Sequence, residues 1–260
     1  MVAVYSDTNG GVGPGSAKWT QAFFSWWTDL NPELRVAYIT NAKQLDDCDS
    51  LKAYSKLQLW VQPGGNAEEQ SAALGPGGRD NVLDFAASSH GHVYATCAGW
   101  YYSAGSYWWY GDFIPYAWMP HWWPTVEGPI VSIASYPDYA PTTLSNGLTV
   151  VYYGGPALGL NTTTSAVPNG ATVLAYYDHP NVPRSVPAAV HYKGQYIDAL
   201  FLSPHPEAVT GLDLKCKPPA PPGCITSAQQ LQNWRFVANS LNDLLDSNLL
   251  VPSSLGAAHT

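Results

Sequence analysis

The sequence predicts an α/β fold, a doubly wound, mostly parallel sheet with helices on both faces and an additional strand-rich C-terminal half. Short, almost continuously apolar segments, typical of strands buried in a parallel sheet, alternate with segments whose apolar residues recur at helical spacing. Strand-like segments then dominate residues 148–202. No stretch has the composition of a linker, so we expect one domain over residues 1–260, with an aromatic-rich insertion at about 100–124.

The first hundred residues are predicted to contain four strands and two helices. The strands are residues 2–5, 35–40, 57–62 and 92–96. Ser16 is the expected N-cap of a helix over residues 17–30, which Asn31-Pro32 ends. The second helix is predicted over residues 80–88.

The second part of the chain is predicted to add four strands and one long helix. The strands are residues 148–153, 172–177, 188–192 and 196–202, and Lys193-Gly194 is the expected hairpin turn between the last two. The helix spans residues 227–245, since Leu231, Trp234, Val237 and Leu241 fall on one face.

Composition excludes several classes of partner. Charged residues make up 12% of the sequence and aromatic residues 13%, whereas about 25% charged residues are usual. With 11 basic against 19 acidic residues, a net charge of −8 and no basic stripe, we expect no nucleic-acid partner. No apolar run approaches the roughly 20 residues that span a bilayer, so we expect no membrane partner. A small-molecule or peptide substrate remains, and the oligomeric state is not indicated.

Weaker features favour a secreted protein. Cys216 and Cys224 flank a short loop that contains four prolines, so a disulfide that closes the loop is expected. Asn161 begins an Asn-Thr-Thr glycosylation acceptor. The segment from Met1 to Tyr5 resembles a first strand and no signal peptide is visible, so we interpret Met1 as an initiator residue placed before a trimmed chain.

A glycine-rich loop at residues 8–15 joins the first strand to the first helix. A phosphate-binding loop would need Lys followed by Ser or Thr after its last glycine, and Lys18 is out of register. We therefore interpret the loop as a turn at the carboxyl edge of the sheet, where α/β proteins bind their ligands.

Cys97 occupies the most informative position in the sequence. It follows a predicted strand directly, with the small residues Ala95 and Gly99 two positions before and after it, as in a nucleophile elbow. The N-terminus of a helix that follows such a turn favours a thiolate. A buried structural cysteine is the alternative at this stage.

His205 and Glu207 strengthen the catalytic interpretation. Prolines on both sides of His205 favour extended backbone, in which residues i and i+2 project to the same side. Glu207 is therefore expected to orient the imidazole, and Cys97, His205 and Glu207 make a nucleophile, base and orienter. The alternative is a proline-rich strand exit with an incidental histidine.

Together these motifs resemble the class I glutamine amidotransferase-like superfamily. The closer resemblance is to the amidotransferase-like domain at the N-terminus of eukaryotic biotin–protein ligases, in a stand-alone form. It covers most of the chain, and the segments that carry it are Val61-Gln62-Pro63-Gly64-Gly65-Asn66, Thr96-Cys97-Ala98-Gly99-Trp100-Tyr101-Tyr102, Val151-Tyr152-Tyr153-Gly154-Gly155-Pro156, Tyr177-Asp178-His179-Pro180 and Pro204-His205-Pro206-Glu207. The resemblance implies a flavodoxin-like fold. Ala95 departs from the usual glycine of the elbow, and no Gly-rich, Arg-containing biotinyl-adenylate loop is present, so biotin ligation is not expected.

The resemblance also implies the remaining site residues. Cys97, His205 and Glu207 would form the catalytic triad, and backbone N–H groups of Gly64, Gly65 and Ala98 would form an oxyanion hole. The expected substrate contacts are Asn66, Trp100, Tyr101, Tyr153, Gly154 and Gly155. We expect neither a cofactor nor a metal; His90-Gly91-His92 has a ligand-like spacing but lacks a nearby carboxylate or cysteine pattern.

Twelve aromatic residues fall within residues 100–123, directly after Cys97. They are interpreted either as a packed lid or as an aromatic cleft for a sugar, a peptide or a cell-wall component. Cys48 is a possible disulfide partner of Cys97, and such a bond would silence the nucleophile.

Two functions from different classes follow. The first is a cysteine-dependent hydrolase or acyl-transfer enzyme that acts on an amide bond. The second is a catalytically inactive binding module that uses the aromatic cleft on the same fold.

Overall fold

The structure is a computed structural model that describes residues 1–45, 56–87, 91–104, 106–107, 112–113, 126–134, 138–159, 167–183, 185–194, 197–209 and 225–254. Four predicted features lie outside the described residues: the Cys216–Cys224 disulfide, glycosylation at Asn161, the pairing of Cys48 and most of the aromatic insertion after Ala104.

Thirteen strands and four α-helices occur within the described ranges. The strands are β1 (Val2–Tyr5), β2 (Val36–Ile39), β3 (Leu59–Gln62), β4 (His92–Thr96), β5 (Ser106–Tyr107), β6 (Asp112–Phe113), β7 (Val126–Pro129), β8 (Ala140–Thr143), β9 (Thr149–Tyr152), β10 (Pro156–Leu158), β11 (Ala171–Tyr176), β12 (Pro187–Lys193) and β13 (Asp198–Leu202). The helices are α1 (Pro14–Thr28), α2 (Ala67–Ala86), α3 (Ala98–Ala104) and α4 (Ser227–Leu244).

The central sheet has seven strands in the order β11-β12-β13-β4-β3-β1-β2. The five strands from β13 to β2 pair in parallel, and β12 and β11 add two antiparallel strands at one edge. Three further two-stranded pairs, β10–β7, β5–β6 and β8–β9, accompany it. The predicted mostly parallel sheet with a strand-rich second half is therefore confirmed.

The helices cover both faces of the sheet, as the sequence predicts. Alternate residues of β1 point to opposite faces, because side chains alternate along a strand. Ala3 and Tyr5 lie in a core with α2 and α3, whereas Val2 and Val4 lie in a second core with α1 and α4. Burial on both faces explains why β1 is continuously apolar.

The start of α1 differs from the prediction. The helix begins at Pro14 with Gly13 at its N-cap, and Ser16 lies in the first turn. Pro14 suits this first position, because the missing N–H would have no partner inside the helix. The Ser16 hydroxyl is used elsewhere: it accepts a hydrogen bond from the N–H of Gly64 at 2.9 Å.

The second helix is much longer than predicted. It begins at Ala67, and the N-cap Asn66 accepts hydrogen bonds from the N–H groups of Glu68 and Glu69. Gly75 has φ 57° and Pro76 follows it, so a kink sits where the sequence shows a break. The predicted helix over residues 80–88 is the second half of α2.

No helix within the described ranges is long and apolar enough to cross a membrane.

Candidate active site

Cys97 stands at the turn between β4 and α3. Its φ of 49° places it in the left-handed region, which a non-glycine residue adopts at a cost of about 1–3 kcal/mol. Its N–H donates to Leu202 O at 2.9 Å, and its carbonyl accepts from the N–H groups of Trp100 and Tyr101. These bonds hold the backbone of the strained turn in place. The thiol is free and 4% exposed.

The backbone of α3 packs directly on β3 beside this turn. A Cβ at Gly99 would overlap the carbonyl oxygen of Gln62. Only glycine permits this approach, which accounts for the small residue two positions after Cys97.

His205 and Glu207 follow β13, the strand next to β4 in the sheet. The N–H of His205 donates to Val151 O at 2.7 Å, and this bond anchors the turn. His205 Nδ1 lies 2.9 Å from Glu207 Oε1, which also accepts from Thr96 Oγ1 at 3.3 Å. Because a carboxylate only accepts, Nδ1 carries the hydrogen and Nε2 remains for the cavity. The side chains of His205 and Glu207 are 2% and 1% exposed.

The imidazole also faces Cys97. A Cβ at Gly64 would overlap His205 Cε1 and would lie 3.1 Å from His205 Nε2 and 3.2 Å from Cys97 Cβ, so the loop, thiol and imidazole meet around one point. The thiol points to Tyr153 O, 3.5 Å from Sγ.

The surroundings of His205 favour its charged form. Burial alone lowers the pKa of an imidazole, but the charges of Cys97 and Glu207 outweigh it and raise the pKa of His205 from 6.5 to about 10. Trp19 packs edge-on against the ring at 5.2 Å and shields it from water.

The predicted oxyanion donors divide into two groups. The N–H of Gly64 already donates to Ser16 Oγ, so this predicted donor is engaged, and the absence of a side chain at Gly64 lets the loop approach His205 closely. The N–H groups of Gly65 and Ala98 have no partner in the described part of the chain, and both residues line the same cavity as Cys97.

The cavity beside Cys97 has a volume of about 490 Å³. Of the predicted substrate contacts, four line it: Asn66, Tyr101, Tyr153 and Gly154. The side-chain oxygen of Asn66 caps α2, and the Tyr101 hydroxyl donates to Gly154 O at 3.2 Å. These two polar groups are therefore already engaged.

Two predicted substrate contacts, Trp100 and Gly155, are not among the described residues that line the cavity. Trp100 is fully buried in the core, where its ring packs 5.5 Å from Phe201. The direction of α3 turns this side chain toward the sheet, although Trp100 is close to Cys97 in sequence. Gly155 packs against the carbonyl of Ser203, where a Cβ would not fit, and it does not line the cavity.

Sequence analysis missed several residues at the cavity. Ser16, Trp19, Glu69 and Tyr139 all line it. The glycine-rich loop could have indicated Ser16 and Trp19. It lies at the carboxyl edge of the sheet and leads into α1, so it places the first turns of that helix at the site. No local signal marked Tyr139, which reaches the cavity from the start of β8.

The histidine pair near residue 91 lies elsewhere. His90 is outside the described residues, and His92 stands at the N-terminal end of β4, at the opposite end of that strand from Cys97. There Asp198 pairs with His191 at 2.6 Å and lies 3.9 Å from His92. Within the described ranges, no group of three or more His, Cys, Asp or Glu residues could hold a metal ion.

Comparison with known proteins identifies the fold. No protein-family model and no curated protein matches the chain. A crystal structure described as a glutamine amidotransferase matches with a TM-score of 0.52 and 15% identity, over 79% of this chain and 90% of its own. The glutaminase domain of Trypanosoma brucei CTPS, solved with bound acivicin, matches with a TM-score of 0.51 and 10% identity, over 97% of this chain and 96% of its own. The chain thus has a glutamine amidotransferase-like fold.

Proposed function

We propose that this chain is a cysteine-dependent amidase or acyl-transfer enzyme with a Cys97–His205–Glu207 triad. The observation that carries the proposal is the buried His205–Glu207 pair, 2.9 Å apart, next to a free thiol on a strained turn. A structural cysteine has no need of a buried, oriented imidazole beside it. The glutaminase-like fold supports the same chemistry, and the closer resemblance to the biotin–protein ligase N-terminal domain belongs to this proposal.

In the proposed reaction, each residue has one role. Cys97 Sγ attacks the amide carbonyl carbon, and the C–S bond forms as the carbonyl oxygen gains negative charge. The N–H groups of Gly65 and Ala98 hold this oxyanion. His205 gives its Nε2 proton to the leaving nitrogen as the C–N bond breaks. Neutral His205 then takes a proton from water, or from another acyl acceptor, as that molecule attacks the thioester carbonyl carbon. The C–S bond breaks, the acyl product leaves, and the Cys97 thiolate and charged His205 are restored. Glu207 keeps the imidazole oriented throughout.

The proposal is tested by ammonia release from primary amides. We expect the wild type to release ammonia from at least one of L-glutamine, L-tyrosinamide and N-acetyl-L-tyrosinamide. Cys97→Ser removes the thiolate nucleophile and should abolish release, and His205→Gln should lower it by about 10²–10⁴-fold. Cys48→Ser is the control and should leave the rate unchanged. Release that persists in Cys97→Ser would overturn the triad.

A second candidate function is supported by a different observation. Tyr139 and Tyr153 stack at 4.0 Å and 11° in the wall of the cavity, and such an aromatic surface suits ligand binding. For such a binding module, Cys97→Ser would bind the same amides as the wild type, and the wild type would release no ammonia.

The extracellular location is part of the proposal and rests on sequence alone. Its supports are the two cysteines around the proline-rich loop and the acceptor at Asn161.

A further inference from the structure

The cavity beside Cys97 combines aromatic walls with a single carboxylate. Among its described lining residues, Glu69 is the only Asp or Glu, and no Lys or Arg is present. Four aromatic side chains complete the wall: Trp19, Tyr101, Tyr139 and Tyr153. A carboxylate next to aromatic faces binds ammonium groups well, because the ion pair and the cation–π attraction act together.

From this lining we infer that the substrate is an amine-bearing amide that lacks a carboxylate, with its ammonium group held by Glu69 beside the aromatic wall. The inference rests on the proposed amidase function and names the class of substrate for the same site.

The aromatic wall is fixed in place before any ligand binds. The rings of Tyr139 and Tyr153 stack on each other, and Trp19 meets Tyr139 edge-on at 6.1 Å. Tyr101 is tied to Gly154 through its hydroxyl. A wall held by these contacts loses little side-chain freedom on binding, which favours affinity. The volume of about 490 Å³ falls within the usual range of ligand pockets and leaves room for a ring.

Glu69 is fixed at its backbone and exposed at its side chain. Asn66 accepts hydrogen bonds from the N–H groups of both Glu68 and Glu69, so the first turn of α2 is well defined. A carboxylate at this position attracts cations to the cavity that Glu69 lines. The net charge of −8 acts in the same direction.

The N-terminus of α1 also borders the cavity and offers the N–H groups of Gly15 and Ser16. These groups suit a carbonyl or hydroxyl oxygen of the substrate. They would also accept a carboxylate such as that of glutamine, and the experiment includes glutamine as the probe for that outcome.

The test is calorimetric binding of three probes to the Cys97→Ser protein, which cannot turn them over. L-tyrosinamide carries an ammonium group and a ring, N-acetyl-L-tyrosinamide lacks the ammonium group, and L-glutamine carries an ammonium group and a carboxylate but no ring. Each probe is also measured with Glu69→Gln added. Glu68→Gln is the matched control, because Glu68 occupies the same exposed first turn but does not line the cavity.

We expect tyrosinamide to bind about tenfold more tightly than its acetylated form or glutamine. Glu69→Gln should remove the preference over the acetylated form, and Glu68→Gln should retain it. Equal binding of the two tyrosinamides, equal effects of the two glutamate variants, tighter binding of glutamine, or no binding of tyrosinamide would each overturn the inference. Failure of the amidase proposal is distinct: Glu69-dependent binding would then occur without ammonia release by the wild type.

Discussion

At the scale of the residue, Cys97 shows how backbone strain serves the site. A left-handed cysteine is unfavourable by itself, and hydrogen bonds on both sides of it hold the turn in place. The same turn leaves the N–H of Ala98 without a partner in the described part of the chain and sets the thiol beside the imidazole. Strain of this kind persists where the surrounding structure determines it fully.

His205 provides a prediction on pH dependence. We expect its imidazole to remain charged through neutral pH, because Cys97 and Glu207 raise its pKa to about 10. The pKa in the folded state exceeds the ordinary 6.5, so the stability contributed by the charge is complete below about pH 6.5 and is lost as the pH rises through about 10.

The measurement is an NMR titration of the His205 Cε1 proton, assigned with His205→Gln. In the wild type the midpoint should lie above pH 8, and in Cys97→Ser it should move down, since the effect by which Cys97 raises the pKa of His205 is removed. A wild-type midpoint at or below 6.5 would contradict the account.

At the scale of the element, the carboxyl ends of β3, β4 and β13 bring the parts of the site together. β3 leads into the Gly64-Gly65 loop, β4 into Cys97, and β13 into His205 and Glu207. Buried amide side chains join the end of β3 and the loop that follows it to α2. Gln62 Nε2 donates to Gln70 Oε1, and Gln70 Nε2 donates to Pro63 O. The parallel register of these strands therefore sets the distances between the site residues.

The contact between α3 and β3 provides a second prediction. Gly99→Ala should lower the free energy of unfolding by about 1–3 kcal/mol, because the added methyl group overlaps the Gln62 carbonyl. Urea denaturation measures the effect. Gly15→Ala is the matched control: its Cβ would lie 3.6 Å from Trp19, an ordinary contact within a helix. If Gly99→Ala is no less stable than Gly15→Ala, the close approach does not support the elbow.

The sequence predicts the bounds of a strand or helix well where the signal comes from residues within that element. β1, β4 and α4 lie within one residue of their predicted bounds, because burial on both strand faces and a helical stripe leave clear signals. The start of α2 was missed, since Gly75-Pro76 resembles a loop while the helix continues through a kink. Trp100 was misplaced and Tyr139 was not found, because the direction of a short helix and contacts between distant segments depend on tertiary packing.

At the scale of the whole molecule, the fold explains why the site lies where it does. The described helices cover both faces of the sheet, so the carboxyl edge is the open end at which strands, the glycine-rich loop and α1 converge. His205 and Glu207 are buried beside the sheet, whereas Cys97 lines the cavity, where a substrate can reach it. The central claim is that these three residues act as one unit.

The most direct test of that claim is the rate at which iodoacetamide alkylates Cys97 at pH 7, located by peptide mass mapping. Cys97 should react faster than N-acetylcysteine, since a neighbouring imidazolium favours the thiolate. His205→Gln should slow the reaction at least about tenfold, and Cys48→Ser should leave it unchanged. An unreactive Cys97, or a rate that His205→Gln does not alter, would show that the thiol and the imidazole do not act together.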